Sequence, residues 1–164
     1  MKSYEALYGR YADAMYQTCI RMVANKADAD DLLQDSFFYA FTNLDKLKNS
    51  DAFGGWLKRI VINKSTNFIK RDKAKWDRVK SDEDILAEPE PDNRSFIYSA
   101  ELLEKALSSL PDHYRSVISL HVLEQLSFEK IALLFEVPSS TIRTWYRRGK
   151  QETIQFCQNS RYEY

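Results

Sequence analysis

Glycine and proline are scarce in this sequence, at four residues each in 164. That scarcity argues against an all-β chain, which needs many tight turns. No apolar run reaches the length of a membrane span. The N-terminal stretch carries Glu5, Arg10 and Asp13 and does not read as a signal peptide. Cysteine is limited to Cys19 and Cys157, which lack metal-ligand spacing and read as reduced, half-buried thiols of a cytoplasmic protein. His113 and His121 have no partner ligands nearby in sequence, so exposed or core histidines are expected rather than a metal site. A Gly-rich phosphate loop and a Ser-His-Asp set are also missing. The acids Asp28, Asp30 and Asp31 suit the start of a helix better than a metal ion. No catalytic residue, metal or cofactor is therefore expected, and the enzyme classes are disfavoured.

Net charge is absent too, with 24 basic and 24 acidic residues. The balance hides a segregation. From Lys58 to Lys80 the cations Lys58, Arg59, Lys64, Lys70, Arg71, Lys73, Lys75, Arg78 and Lys80 face only Asp72 and Asp77. From Asp82 to Glu104 the acids face only Arg94. Charge blocks of alternating sign suggest separate surfaces with separate partners.

What the chain does have is helical periodicity almost throughout. Leu7, Tyr11, Ala14, Met15, Thr18, Cys19 and Met22 form one stripe and predict a helix over 4–24. "NKADADD" interrupts and caps a second helix over 27–44, striped by Leu32, Leu33, Phe37, Ala40, Phe41 and Leu44. Its early acids suit the positive end of the helix dipole. After the polar "DKLKNSD", Ser50 or Asp51 is expected to cap a third helix carrying Phe53, Trp56, Leu57, Ile60, Val61, Lys64, Phe68 and Ile69. Gly54 and Gly55 near its start are expected to permit close packing.

Between about 76 and 96 the pattern fails, and "SDEDILAEPEPDNRS" reads as a flexible linker. Helical pattern resumes at Phe96, with Leu102, Leu103, Ala106, Leu107 and Leu110 as the next stripe. Pro111 is expected at the first position of a further helix that buries Val117, Ile118, Leu120 and Leu123. Ser127 caps a short helix over 128–135, and a last helix starts after Pro138. The expected architecture is all-α: two small helical bundles, 1–75 and 98–164, joined by an acidic, Pro-containing linker over 76–97.

The two helices around "EVP" have the spacing of a helix-turn-helix. Ile131, Ala132, Phe135, Val137 and Ile142 supply its core, small Ala132 allows a close crossing, and Trp145 or Tyr146 anchors the second helix. Ser139, Ser140, Arg143, Thr144, Arg147 and Arg148 are then expected to point outward, with Thr141 at the helix start and Lys150 further along. Arginines can grip guanine edges or pair with phosphates, and hydroxyls with free N–H groups at a helix start can hold a phosphate. Where many such units place glycine at the turn, this chain has Glu136, and a left-handed backbone there costs about 1 kcal/mol. In the third helix, Asn63, Asn67, Lys70 and Arg71 share a face, and amides and cations interleaved with aromatics suit a partly unpaired strand. For Trp56 a core position is expected.

Taken together, "DADDLLQDSFFYAF", "FGGWLKRIVINKSTNFIKR" and "LPDHYRSVISLHVLEQLSFEKIALLFEVPSSTIRTWYRRGK" resemble the extracytoplasmic-function sigma factors of the sigma-70 family. These keep only regions two and four, and the resemblance covers nearly the whole chain. It implies an alternative sigma factor that binds core RNA polymerase and directs transcription initiation at specific promoters in response to stress or a signal. It implies that Asp28, Asp31, Leu32, Gln34, Asp35 and Phe38 dock on the β′ clamp coiled coil. The loop 47–51, with Lys48, Asn49 and Ser50, would capture a base of the minus-ten element, and Asn63, Asn67, Lys70 and Arg71 would contact the same element. Region four would meet the β flap and read the minus-thirty-five element through Ser139, Ser140, Thr141, Arg143, Thr144, Arg147, Arg148 and Lys150. An anti-sigma partner, membrane-anchored in many cases, is a further implication. The chain departs from the family pattern at Asn67, Lys70, Glu136 and Trp145, departures that bear on the promoter sequence more than on the function. A stand-alone regulator with a helix-turn-helix explains 110–150 but neither the acidic second helix nor the cationic third.

Overall fold

The structure, a computed structural model, describes residues 3–76 and 98–160. Seven α-helices lie among the described residues: α1 (Tyr4–Val23), α2 (Lys26–Thr42), α3 (Phe53–Lys70), α4 (Ala100–Ser109), α5 (Asp112–Ile118), α6 (Phe128–Phe135) and α7 (Ser139–Asn159). They fall into two units, Met1–Arg71 and Asp72–Tyr164. The expected linker 76–97 lies outside the described residues except for Trp76, as does the start of helical pattern at Phe96.

In the first unit the junctions are built from caps. The Ser3 hydroxyl accepts the Ala6 N–H (3.2 Å) at the start of α1. Ala24 ends α1 in a left-handed conformation, φ 53°, and donates its N–H to the Ile20 carbonyl. Asn25 then starts α2, its side-chain oxygen accepting the Asp28 N–H (3.0 Å). This two-residue joint turns the chain back on itself: Tyr4 meets Phe41 and Tyr8 meets Phe37, both with centroids 4.7 Å apart. α2 is therefore antiparallel to α1. α3 runs the other way along α1, since Phe53 lies beside Tyr11 and Lys58 donates to the Thr18 hydroxyl (3.1 Å). Met15, Cys19, Met22, Leu33, Phe37, Leu57 and Val61 fill the space between the three helices.

Several local expectations need correction. α3 is led by a 3-10 turn, Ser50–Ala52, which is capped by Asn49, whose side chain accepts the Asp51 N–H (3.0 Å); α3 itself starts behind Ala52 with no side-chain cap, so neither Ser50 nor Asp51 caps it. Of the glycine pair only Gly54 is needed for packing: a Cβ there would lie 2.8 Å from Tyr11 Cε1, whereas at Gly55 it would meet nothing within 4 Å. The cysteines are not joined in a disulfide, and both are fully buried rather than half buried. Trp56 is half-buried, not core.

The second unit packs α4, α5 and α6 around α7. Ser99 caps α4 and Ser127 caps α6, each hydroxyl accepting an N–H three residues on at 3.2 Å. Pro111 takes the cap position of α5 rather than the first helical one. Its ψ of 146° is extended, while its carbonyl already accepts the Arg115 N–H (3.1 Å). α5 passes into a π turn, Ser119–Leu123, and the chain turns outward there, so Leu123 is 53% exposed rather than core. Tyr114, Val117, Leu120, Ile131, Phe135, Ile142, Trp145 and Cys157 form the core. α5 crosses α7 at Gly149, where a Cβ would stand 2.8 Å from Ile118 Cδ1 and 3.3 Å from Tyr114 Cβ. His113 is a core histidine, and Trp76 closes the cluster it belongs to, lying 5.0 Å from Trp145, 5.9 Å from Phe135 and 6.2 Å from His113.

Candidate nucleic-acid and polymerase interfaces

The turn between α6 and α7 fixes the direction of α7. Glu136 adopts φ 57°, ψ 44°, the left-handed conformation a short helix corner requires, and donates its N–H to the Ala132 carbonyl. Its carboxylate pairs with Lys73 at 3.8 Å. Pro138 caps α7 with an extended backbone, and its carbonyl accepts the Thr141 N–H (3.0 Å). Ile142 and Trp145 point inward against Phe135, with Trp145 and Phe135 edge to face at 5.8 Å. Burying those two sets the outward face by helical periodicity. Ser140, Arg143 and Lys150 are exposed on α7, and Ser139, Thr141, Arg147 and Arg148 are half-buried.

Thr144 is a correction. It is 6% exposed, and its hydroxyl is turned back to the Ser140 carbonyl (3.0 Å). The buried sector of α7 is wider than the Ile142–Trp145 stripe and takes in Thr144, so this side chain has no face to offer a partner.

An aromatic platform not foreseen from the sequence underlies the cations. His121 stacks on Phe128 at 4.1 Å, and Tyr146 meets both rings at 5.1 and 5.3 Å. His121 is held in turn by its Nδ1 contact to the Leu126 carbonyl (2.8 Å). Arg143 lies 5.5 Å from the Phe128 ring and Lys150 5.3 Å from the Tyr146 ring, distances at which a cation is attracted to an aromatic face. Arg143 also donates to Glu129 (2.7 Å) and to the Ser139 hydroxyl (3.3 Å). A hydrogen bond from its own backbone N–H, and after it the hydrogen bond from Arg143, hold the Glu129 carboxyl below its ordinary pKa.

In the first unit α2 turns Asp31, Gln34, Asp35 and Phe38 to solvent and leaves Asp28 half-buried. Phe38 is 74% exposed, an aromatic ring standing among acids. Leu32 is a second correction: at 7% exposure it belongs to the core stripe with Ala29, Leu33 and Ala40, and it supports the acidic face from beneath. Asp28, Asp31 and Asp35 share a cleft of about 300 Å³ with Lys64, Asn67, Phe68 and Arg71 of the α3 end. The acids of α2 and the polar side chains of α3 thus border one groove.

A second cleft, about 440 Å³, is lined by Tyr39, Trp56, Arg59, Ile60, Asn63, Lys64 and Asn67. It brings Asn63 and Asn67 together with an aromatic pair and two further cations, Arg59 and Lys64. Arg59, Asn63 and Asn67 recur every four residues, a spacing that could have marked Arg59 beforehand; Tyr39 comes from α2 and carried no such signal. The Lys64 ammonium lies 5.4 Å from the Tyr39 ring. Lys48, Asn49 and Ser50 are exposed on the loop before α3, with the Asn49 side chain engaged in the turn. Lys70 is half-buried, and Arg71 is exposed beside Phe68 at 5.8 Å.

Comparison with known proteins matches this arrangement twice. The family model described as Sigma-70 region 2 matches residues 7–75, and that described as Sigma-70, region 4 matches 100–152. The ECF RNA polymerase sigma factor SigW of Bacillus subtilis is 31% identical over 153 residues, an alignment spanning 86% of this chain and 81% of SigW. The chain belongs to the ECF sigma factors of the sigma-70 family. SigE of Mycolicibacterium smegmatis is 30% identical to this sigma factor over 156 residues, though the chain spans only 60% of that longer protein. The sigma factor RpoE of Bartonella quintana, solved in complex with the anti-sigma factor NepR, shares its fold, with a TM-score of 0.56 at 18% identity over 96% of this chain and 98% of that one. No helix among the described residues of the sigma factor is long and apolar enough to cross a membrane.

Proposed function

We propose that this chain is a dissociable promoter-specificity subunit of bacterial RNA polymerase, acting in the cytoplasm and contributing no catalytic chemistry of its own. The observation that carries the reading is the α6–Glu136–α7 corner: Ile142 and Trp145 are locked inward, which leaves Ser140, Arg143 and Lys150 outward directly behind the turn. A helix about 10–12 Å across fits the major groove of B-DNA, about 12 Å wide. α7 reads the minus-thirty-five element there, with Arg143 directed to a base edge or phosphate. Arg147, Arg148 and Lys150 contact the flanking backbone, and Ser139, Ser140 and Thr141 hold a phosphate at the helix start.

The first unit contacts the other promoter element. Asn63, Asn67, Lys70 and Arg71, with Lys48, Asn49 and Ser50 on the preceding loop, meet the minus-ten strand. Trapping an unstacked base there helps the duplex open. The exposed acids of α2, with Gln34 and Phe38, dock on the clamp coiled coil of the β′ subunit, where acid and amide can pair with a basic partner. The second unit meets the β flap. Because both DNA contacts are carried on one chain, the second forms intramolecularly once the first exists. The same acidic and apolar surfaces suit an anti-sigma factor that competes with polymerase.

The test is transcription in vitro with purified bacterial core polymerase, followed by mapping of start sites. Start-site selection that depends on adding this chain is the expected result. Binding to a palindrome as a dimer, without polymerase, would instead favour a stand-alone regulator.

A further inference from the structure

Arg143 is exposed one turn behind the corner, yet it is not loose. Its Nη2 donates to Glu129 Oε1 at 2.7 Å, its Nη1 donates to the Ser139 hydroxyl at 3.3 Å, and its carbon lies 5.5 Å from the Phe128 ring. Phe128 is stacked on His121, so the platform beneath the guanidinium is fixed as well. Glu129 is held at its own end: it lies in the first turn of α6, where the dipole and its own N–H favour the carboxylate. It is not consumed by a reciprocal cap, because the residue three beyond the Ser127 cap is Lys130.

We infer that Glu129 is a specificity-determining positioning residue, which holds the Arg143 guanidinium in one orientation for base reading and away from adjacent phosphates. This rests on the proposed role of α7. The donor count permits it. A guanidinium has five N–H donors. The Glu129 and Ser139 contacts use two, leaving three, and the O6 and N7 of one guanine need two. Glu129 can therefore stay bound to Arg143 while Arg143 grips a base. A phosphate is a less demanding acceptor that any orientation of a free arginine satisfies, and a carboxylate beside it opposes that pairing by charge repulsion.

The experiment uses holoenzyme assembled from the full chain and bacterial core polymerase. It is selected against a duplex library randomised across the upstream promoter element and titrated with salt on random duplex. Wild type, Glu129→Gln, Arg143→Ala and the double variant are compared, with helicity measured for each. Glu129→Gln is isosteric and exposed. It is expected to lower the base preference roughly tenfold at the same position that Arg143→Ala affects, the scale of one lost bidentate contact. The double variant should lose no more preference than Arg143→Ala alone. On random duplex, Glu129→Gln should bind a few-fold tighter and steepen the log–log salt slope by about 0.9, the increment for one further phosphate. A wild-type preference in Glu129→Gln alongside an altered one in Arg143→Ala overturns the inference and leaves the role of α7 standing, as does additive loss in the double variant. An unchanged preference in Arg143→Ala overturns the role of α7 and the inference with it.

Discussion

Removing the Trp76 ring tests whether the second unit depends on a residue outside its helices. Trp76 follows the 3-10 turn Lys73–Lys75, and its N–H is tied back to the Lys73 carbonyl at 3.0 Å. Its ring packs against His113, Phe135 and Trp145, all buried, and it is half-buried itself. A buried aromatic covers about 150–250 Å². Half of that, at about 25 cal/mol per Å², is worth roughly 2–3 kcal/mol. Edge-to-face contacts to Phe135 and Trp145 add to this, by about 0.5–1.5 kcal/mol a pair. Residual burial in the unfolded chain subtracts a comparable amount. Trp76→Ala is therefore expected to destabilise the second unit by about 2–3 kcal/mol, and Trp76→Phe by less than about 1 kcal/mol. Urea unfolding followed by far-UV circular dichroism measures both, with tryptophan fluorescence in a Trp56→Phe background reporting the cluster through Trp145. Because Trp145 anchors α7 from within, Trp76→Ala should also weaken minus-thirty-five binding while leaving association with core polymerase intact. A shift below about 0.5 kcal/mol for Trp76→Ala would refute the reasoning, since a ring in those three contacts cannot be that inconsequential.

Three further outcomes are expected. Arg143→Ala with Arg147→Ala weakens minus-thirty-five binding and makes its log–log salt slope shallower by about 0.9, the increment for the one phosphate assigned to Arg147, with core association unchanged in a pull-down; a loss of association would show that the two surfaces are not separate. Asp31→Ala with Gln34→Ala does the reverse, reducing affinity for core polymerase about tenfold while fork-DNA contacts within assembled holoenzyme persist. The Cys19 thiol is pushed up from 9.0 to about 11, chiefly by burial. A raised pKa disfavours the thiolate in the folded state, so the associated stability is complete below pH 9 and is lost as pH rises toward 11. The effect is of order 2–3 kcal/mol; Cys19→Ser should flatten the alkaline limb of a denaturation series, and an unchanged limb would exclude the thiol as its source.

The parts of this fold written in the sequence are those governed by neighbours along the chain. Ser127 three residues before Lys130, Asn25 before Asp28 and the inward Ile142–Trp145 stripe are local patterns, and helix geometry converts each into structure without reference to anything distant. The corner at Glu136 was legible for the same reason, since helix length on either side leaves its backbone one conformation. What failed were judgements about which side chains of a helix stay outside. Thr144 sits at the margin of a buried sector whose width depends on packing across the unit, and periodicity alone places a stripe without fixing its edges; Leu32 was placed in the α2 stripe by periodicity, and only its second assignment, to a docking face, conflicts with its burial. Gly149 shows the limit from the other side: within the cationic run it looks like a weak point, and only the crossing of α5 makes it the residue that fits.

The same distinction separates the cations that were foreseen from the groups that govern them. Arg143 announces itself by charge and spacing, but its partner Glu129 lies fourteen positions away on another helix, and nothing in either local pattern links them. Arg59 and Tyr39 share a cleft with Asn63 although they come from different helices. A reading of composition finds where positive charge accumulates, and hence which class of partner is recruited. Discrimination among partners of that class depends on whether each cation is free or held, because a free guanidinium satisfies any phosphate while a held one satisfies few base edges. On this chain that second property belongs to side chains that are not basic and that lie in part outside α7: Glu129 and Phe128 at the start of α6, and Trp76 behind Trp145, together with Ser139 and Tyr146 of α7 itself. Promoter choice should accordingly respond to substitutions at these positions even where the arginines are untouched.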